Sequence, residues 1–108
     1  MTDDEVLMRA IQAGDSKAYN AAVRQHIKPL SHYAFRMLGN SKDTEDIVQE
    51  TLLRLWTHAE SWKPGKAGVS TWLHRIARNL CIDYLRKDKS SVNSELSDDL
   101  ESGDRPAQ

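Results

Sequence analysis

The sequence contains few residues of several types, and each scarcity excludes a class of protein. A single cysteine, Cys81, among 108 residues excludes an intramolecular disulfide framework and a multi-cysteine zinc site. Five glycines and three prolines are too few for a collagen-like or low-complexity chain. No apolar run approaches the roughly 18 residues that cross a membrane, and the acidic start MTDDE is unlike a signal peptide. We therefore expect one cytoplasmic domain without membrane insertion.

The formal net charge of −1 conceals three segments of different charge. Residues 1–60 contain seven Lys or Arg against nine acids, whereas residues 61–90 contain seven against two, which is a net charge of +5. Residues 91–108 contain one arginine against five acids, which is a net charge of −4. This sorting favours separate surfaces for separate partners, although a basic segment is more often only a solvated face.

Apolar residues recur at helical spacing in four segments, and no segment shows the period of a strand. The first helix starts with a capping box at Thr2 and stops at Gly14. The second helix starts at residue 15 or 16 and ends at Gly39. Pro29 lies inside it, and because the apolar phase continues across the proline, we expect one kinked helix rather than two.

The second half of the sequence predicts two further helices joined by a loop. Ser41 is a suitable N-cap for the third helix, whose first turns carry acids that favour a helix N-terminus. Residues 61–69 break every period and predict a loop, after which Ser70 is the expected N-cap of the fourth helix. The predicted fold is all-α, a compact bundle of about four helices over residues 1–89. An acidic, disordered tail or linker follows over residues 90–108.

Motifs of catalytic chemistry are missing from the sequence. The four histidines show neither an i, i+4 pair nor an HExxH pattern, and no nucleophile elbow, P-loop or dinucleotide-binding glycine motif occurs. We therefore expect no catalytic residue, no metal and no cofactor, and the chain is predicted not to be an enzyme.

Two stretches carry side chains suited to binding. In the third helix, Asp46, Gln49 and Glu50 share one face, where they fit charged hydrogen bonds to a basic partner helix as well as an ordinary solvated surface. The loop and fourth helix combine aromatic rings, cations and amides, the inventory that binds single-stranded nucleic acid. Within that stretch Trp72 also fits a core position, whereas Trp62 fits one less easily.

Two long strings, DTEDIVQETLLRLW at 43–56 and STWLHRIARNLCIDYLR at 70–86, resemble region 2 of the sigma-70 family. The resemblance is closest to the small extracytoplasmic-function (ECF) group and covers about residues 3–88. It implies a bacterial transcription initiation factor with no bond-making chemistry. Principal sigma factors carry an aromatic pair at the melting wedge, whereas here Trp72 follows Thr71, as in ECF members.

The resemblance implies two partners, and an anti-sigma factor is a third that it allows. In that family the acidic helix binds the clamp helices of the β′ subunit of RNA polymerase core. Carried over, the core-binding residues are Asp43, Asp46, Gln49, Glu50, Leu53 and Trp56. The loop and fourth helix recognise and melt the promoter −10 element on its non-template strand. The corresponding DNA-binding residues are Trp62, Lys63, Lys66, Trp72, Arg75, Arg78, Asn79, Asp83 and Arg86.

Other interpretations of the sequence stay open at this point. No helix-turn-helix domain that would read a −35 element follows the acidic segment. The chain is therefore either a region 2 excised from a longer protein, which we favour, or a protein that relies on other contacts. The main alternative is a helical interaction module that binds polymerase or another partner without recognising promoter DNA. A helix-turn-helix repressor fits less well, because no short-turn recognition pair is followed by a dimer seam.

Overall fold

Four α-helices make up the computed structural model, which describes residues 2–92, with side chains as far as residue 87. Helix α1 spans Asp3–Gln12, α2 spans Ser16–Leu38, α3 spans Ser41–Thr57 and α4 spans Val69–Val92. A short 3₁₀ turn, Ala59–Ser61, follows α3, and no strand occurs among the described residues. The all-α prediction is confirmed. Helix α4 crosses the boundary predicted between residues 89 and 90, and residues 93–108 of the predicted tail lie outside the described residues.

The starts of α1 and α2 follow from their local sequence. The Thr2 hydroxyl accepts the Glu5 N–H at 3.1 Å while the Glu5 carboxylate accepts the Thr2 N–H at 2.9 Å, which confirms the capping box. The Asp15 carboxylate accepts a hydrogen bond from the Lys17 N–H at the start of α2. Helix α2 is one element across Pro29, as predicted.

Two predicted N-caps are wrong, for different physical reasons. Helix α3 is capped by Asn40 rather than Ser41, because the Asn40 side-chain oxygen accepts the Asp43 N–H at 2.8 Å one turn further on. Helix α4 starts at Val69 rather than after Ser70. The Val69 N–H donates to the Asp4 carboxylate at 2.9 Å, so the capping group comes from α1, 65 residues away along the chain.

A single apolar core lies between the helices, with α2 packed against α1, α3 and α4. Met8, Leu30, Leu55 and Leu73 contribute one fully buried side chain from each helix in turn. The acidic side of α3 and the basic side of α4 remain at the surface, because the apolar stripes of both helices face this core.

Candidate protein and nucleic-acid interfaces

The acidic side of α3 borders a shallow cavity of about 410 Å³. Its lining residues are Tyr19, Asp46, Gln49, Glu50 and Leu53. Four of these were predicted from the sequence, and Leu53 is 50% exposed although its side chain is apolar. The structure therefore brings together two carboxylates, an amide and an exposed leucine on one face of α3, which we call the α3 face.

Contacts with α2 hold the α3 face in place. The Tyr19 hydroxyl donates to the Leu52 carbonyl at 2.7 Å, and the Tyr19 ring meets the Trp56 ring edge-on at 5.1 Å. Trp56 is 39% exposed, so it extends the apolar part of this surface beyond the cavity. Glu50 forms an ion pair with Arg54 at 3.0 Å that is open to solvent, which leaves Asp46 as the less engaged carboxylate.

Asp43, the sixth residue predicted for this surface, is not among the cavity's lining residues. Its carboxylate accepts hydrogen bonds from the Tyr84 hydroxyl and, at 2.7 Å, from the Asn40 amide. These two donors, Tyr84 first, hold the pKa of Asp43 below its usual range and keep the group charged. Asp43 therefore joins the start of α3 to α4, a contact that the sequence analysis did not anticipate.

The solvent side of α4 carries most of the predicted DNA-binding residues. The buried residues Leu73, Ala77 and Cys81 mark the core side of α4. Because successive side chains are about 100° apart around a helix, the predicted DNA-binding residues from Arg75 to Arg86 lie on the other sides of α4. Arg75, Arg78 and Asn79 are exposed, and Trp72 is partly buried against the core.

Two further predicted residues of α4 contact each other. The Arg86 guanidinium lies 3.9 Å from the Asp83 carboxylate, which offsets part of its charge. The least compensated cations on this side of α4 are therefore Arg75 and Arg78, because neither forms an ion pair among the described residues.

The Trp62 ring lies inside the protein, although the sequence analysis places this residue among the DNA-binding side chains. It is only 6% exposed and belongs to the core, and its indole N–H donates to the Ala67 carbonyl at 2.8 Å. This hydrogen bond joins two parts of the α3–α4 loop, residues 58–68, on the side that faces the core. Glycine, proline and lysine neighbours suggested an exposed tryptophan because they are typical of loops, but they do not show what the loop packs on. Lys63 and Lys66 are exposed on the outside of this loop.

Helix α1 contacts the α3–α4 loop near both of its ends. The Gln12 amide donates to the Ala59 carbonyl at 2.9 Å, and the Asp4 carboxylate accepts the Val69 N–H. A cavity of about 400 Å³ lies beside the Gln12 contact. Its lining residues are Arg9, Gln12, Glu60, Trp62, Lys63 and Pro64.

A third charged surface was missed by the sequence analysis. Helix α2 contains four exposed Lys or Arg residues and no acid, and none of these cations forms an ion pair among the described residues. They are Lys17, Arg24, Lys28 and Arg36. The signal was present in the sequence, but summing charge over residues 1–60 averaged it with the acids of α1 and α3.

The part of the chain that is described contains neither a cluster of metal ligands nor a membrane span. No three potential ligands from His, Cys, Asp and Glu come together there as a metal site would require. Among residues 2–92, none of the helices combines the length and apolar content of a membrane span.

The domain is a small helical bundle with an acidic face on α3 and a basic face on α4. Each face suits a partner whose charge is opposite to its own. Residues 22–91 match the family described as Sigma-70 region 2. The chain belongs to this family, as the resemblance indicated. Sigma factors are non-catalytic transcription initiation subunits, and the chain is accordingly not an enzyme.

Curated relatives place the chain near the ECF group. It is 36% identical over 105 residues to the ECF RNA polymerase sigma factor SigM of Mycobacterium tuberculosis, covering 97% of this chain and 53% of SigM. It is 37% identical over 82 residues to the ECF RNA polymerase sigma factor SigW of Bacillus subtilis, covering 76% of this chain and 43% of SigW. The chain thus spans about half the length of these relatives or less.

Proposed function

We propose that this chain is the part of an ECF sigma factor that binds RNA polymerase core through the α3 face and the promoter −10 element through α4 and the α3–α4 loop. The observation that carries the proposal is the separation of charge onto two helices of one core. Asp46 and Glu50 lie on α3, whereas Arg75 and Arg78 lie on α4.

The α3 face fits a helical, basic partner such as the clamp helices of the β′ subunit. Asp46 and Glu50 are one turn apart, so both can meet cations along one partner helix. Leu53 and Trp56 supply exposed apolar area beside the charges, the combination found at specific protein interfaces.

The basic face of α4 fits the non-template strand. Arg75 and Arg78 supply charge for phosphates, and Asn79 supplies an amide for a base edge. Lys63 and Lys66 extend the cationic surface onto the loop. Trp72 is the tryptophan that supports base stacking in this arrangement, because it keeps partial exposure whereas Trp62 does not.

Core binding is tested with the double variant Asp46→Lys/Glu50→Lys. Loss of interfacial charge pairs costs roughly 2–5 kcal/mol, so affinity for purified core should fall at least thirtyfold with helicity unchanged. The variant Glu45→Lys/Glu60→Lys is the matched control, since it makes the same change in net charge at exposed acids that do not line the cavity of the α3 face. Equal loss in both variants would mean that only net charge matters and would contradict the α3 assignment.

DNA recognition separates this proposal from an interaction module that binds polymerase alone. The chain, with core present, should prefer a single strand of −10-like non-template sequence to a scrambled strand of equal length. The preference should narrow in Asn79→Ala, because the amide is the group placed to read a base. Core binding without any strand preference would favour the interaction module.

A further inference from the structure

We propose that α1 positions the DNA-facing loop, with Asp4 and Gln12 as positioning residues that hold the two ends of the α3–α4 loop. The DNA part of this inference rests on the proposed function. Helix α1 spans Asp3–Gln12 and precedes residues 22–91, the part of the chain that the family match covers.

The loop end next to α4 depends on Asp4. Its carboxylate accepts the Val69 N–H at 2.9 Å and places a negative charge at the N-terminus of α4, where the helix dipole favours it. Gly68, the preceding residue, has no side chain that could supply a cap. A Cβ atom at Gly68 would lie 3.2 Å from the same carboxylate oxygen, so a side chain there would require the Asp4 carboxylate to shift by a few tenths of an ångström. The start of α4 is therefore tied to Asp4 of α1.

The loop end next to α3 depends on Gln12. Its amide donates to the Ala59 carbonyl at 2.9 Å, which fixes the 3₁₀ turn Ala59–Ser61 against the end of α1. Arg9 and Gln12 then face Lys63 and Pro64 across the cavity of about 400 Å³. The loop position that carries Lys63 is consequently set relative to α1 rather than by the loop alone.

Between these two ends, the loop is anchored by Trp62, whose ring is buried in the core. The indole N–H of Trp62 also donates to the Ala67 carbonyl within the loop. Residues 63–66, between these two residues, are all exposed. Fixing the ends of a short loop narrows the conformations that it samples, so less ordering remains to be done when a ligand binds. Helix α1 therefore favours DNA binding without having to touch the DNA.

The first test compares Asp4→Ala with Asp4→Asn and Asp3→Ala. Asp4→Ala removes the cap, Asp4→Asn keeps an acceptor oxygen, and Asp3→Ala removes a neighbouring acid of the same helical turn that makes no such bond. Amide exchange over residues 59–69 should accelerate in Asp4→Ala by about fivefold, the usual effect of losing a helix cap. Asp3→Ala should match the wild type, and Asp4→Asn should recover most of the protection.

Two binding measurements distinguish positioning from general destabilisation. In Asp4→Ala, affinity for the −10-like single strand should fall by about the same fivefold factor, whereas affinity for core through the α3 face should stay within about twofold. A merely structural role would lower both affinities together, and that outcome would overturn the proposal. So would DNA affinity that remains unchanged while loop exchange accelerates.

Gln12→Ala provides an independent variant, because it removes one partly buried hydrogen bond and leaves the α4 cap intact. Exchange should accelerate at Ala59–Ser61, and Gln25→Ala, at an exposed glutamine of α2, is the control. Unchanged loop exchange in both Asp4→Ala and Gln12→Ala would overturn the proposal. If the wild type binds no DNA, the proposed function fails, while the exchange data still decide whether α1 holds the loop.

Discussion

Replacing Trp62 with alanine should destabilise the domain rather than remove a base-stacking platform. The ring is 6% exposed and packs in the core, and its indole N–H satisfies the Ala67 carbonyl at 2.8 Å. A tryptophan that stacked on DNA would instead be open to solvent in the free protein. The two roles therefore predict losses in different measurements.

The expected magnitude follows from the burial and the hydrogen bond. Truncation of a buried tryptophan to alanine costs about 3–5 kcal/mol of unfolding free energy. Trp62→Phe keeps most of the buried area but leaves the Ala67 carbonyl without its donor, which costs about 1–3 kcal/mol. The free energy of unfolding of a domain of this size is roughly 5–15 kcal/mol, so Trp62→Phe should remain folded at 25 °C.

Urea unfolding followed by circular dichroism gives both values, and Trp56→Ala serves as the control. Trp56 is 39% exposed, so its truncation should cost clearly less than that of Trp62. Affinity of Trp62→Ala for the −10-like strand, measured under conditions where that variant is folded, should change by less than about threefold, whereas loss of a stacking contact would cost about 1–3 kcal/mol. Near wild-type stability combined with a selective loss of DNA binding would refute the core assignment.

Two further predictions concern charge. Arg78→Ala should reduce the slope of log affinity against log salt concentration for single-stranded DNA by roughly 0.7, the value for one phosphate contact. Arg24→Ala on α2 should leave this slope unchanged. Equal slopes for both variants would contradict the assignment of DNA binding to α4. Burial lowers the pKa of His26; the charge of Asp4 partly opposes this shift, and His74 adds to it. The unfolded chain therefore becomes protonated at His26 at a higher pH than the folded chain does. Unfolding free energy should therefore decline as pH falls below about 6.5, and His26→Leu should abolish that decline, in contrast to a variant of the exposed His32.

Local patterns were sufficient to predict the helices and two of their starts. The caps at Thr2 and Asp15 involve partners within three residues, so composition and spacing contain all the necessary information. The same holds for the end of α2, where Gly39 adopts the left-handed conformation (φ 82°) that a C-terminal glycine permits.

Contacts between distant segments explain why the other predictions differ from the structure. The cap of α4 comes from Asp4, 65 residues before it, and no local pattern connects the two positions. Trp62 is likewise buried in a core formed by residues distant in sequence, whereas its neighbours in sequence are typical of an exposed turn. The candidate surfaces on α3 and α4 were easier to predict, because helical spacing alone decides which side chains share a face.

Asp43 belongs to a motif that suggests partner binding, but its carboxylate makes hydrogen bonds within the domain. It stands in the string that resembles sigma-70 region 2, and its charge suits a basic partner. Its carboxylate is nevertheless bound by Asn40 and Tyr84, which link the start of α3 to α4. Since these donors lower its pKa, the link persists throughout the neutral range and is lost only at acidic pH. The α3 face and the basic face of α4 are therefore joined through Asp43 as well as through the shared core, which restricts how far the two surfaces can move relative to each other.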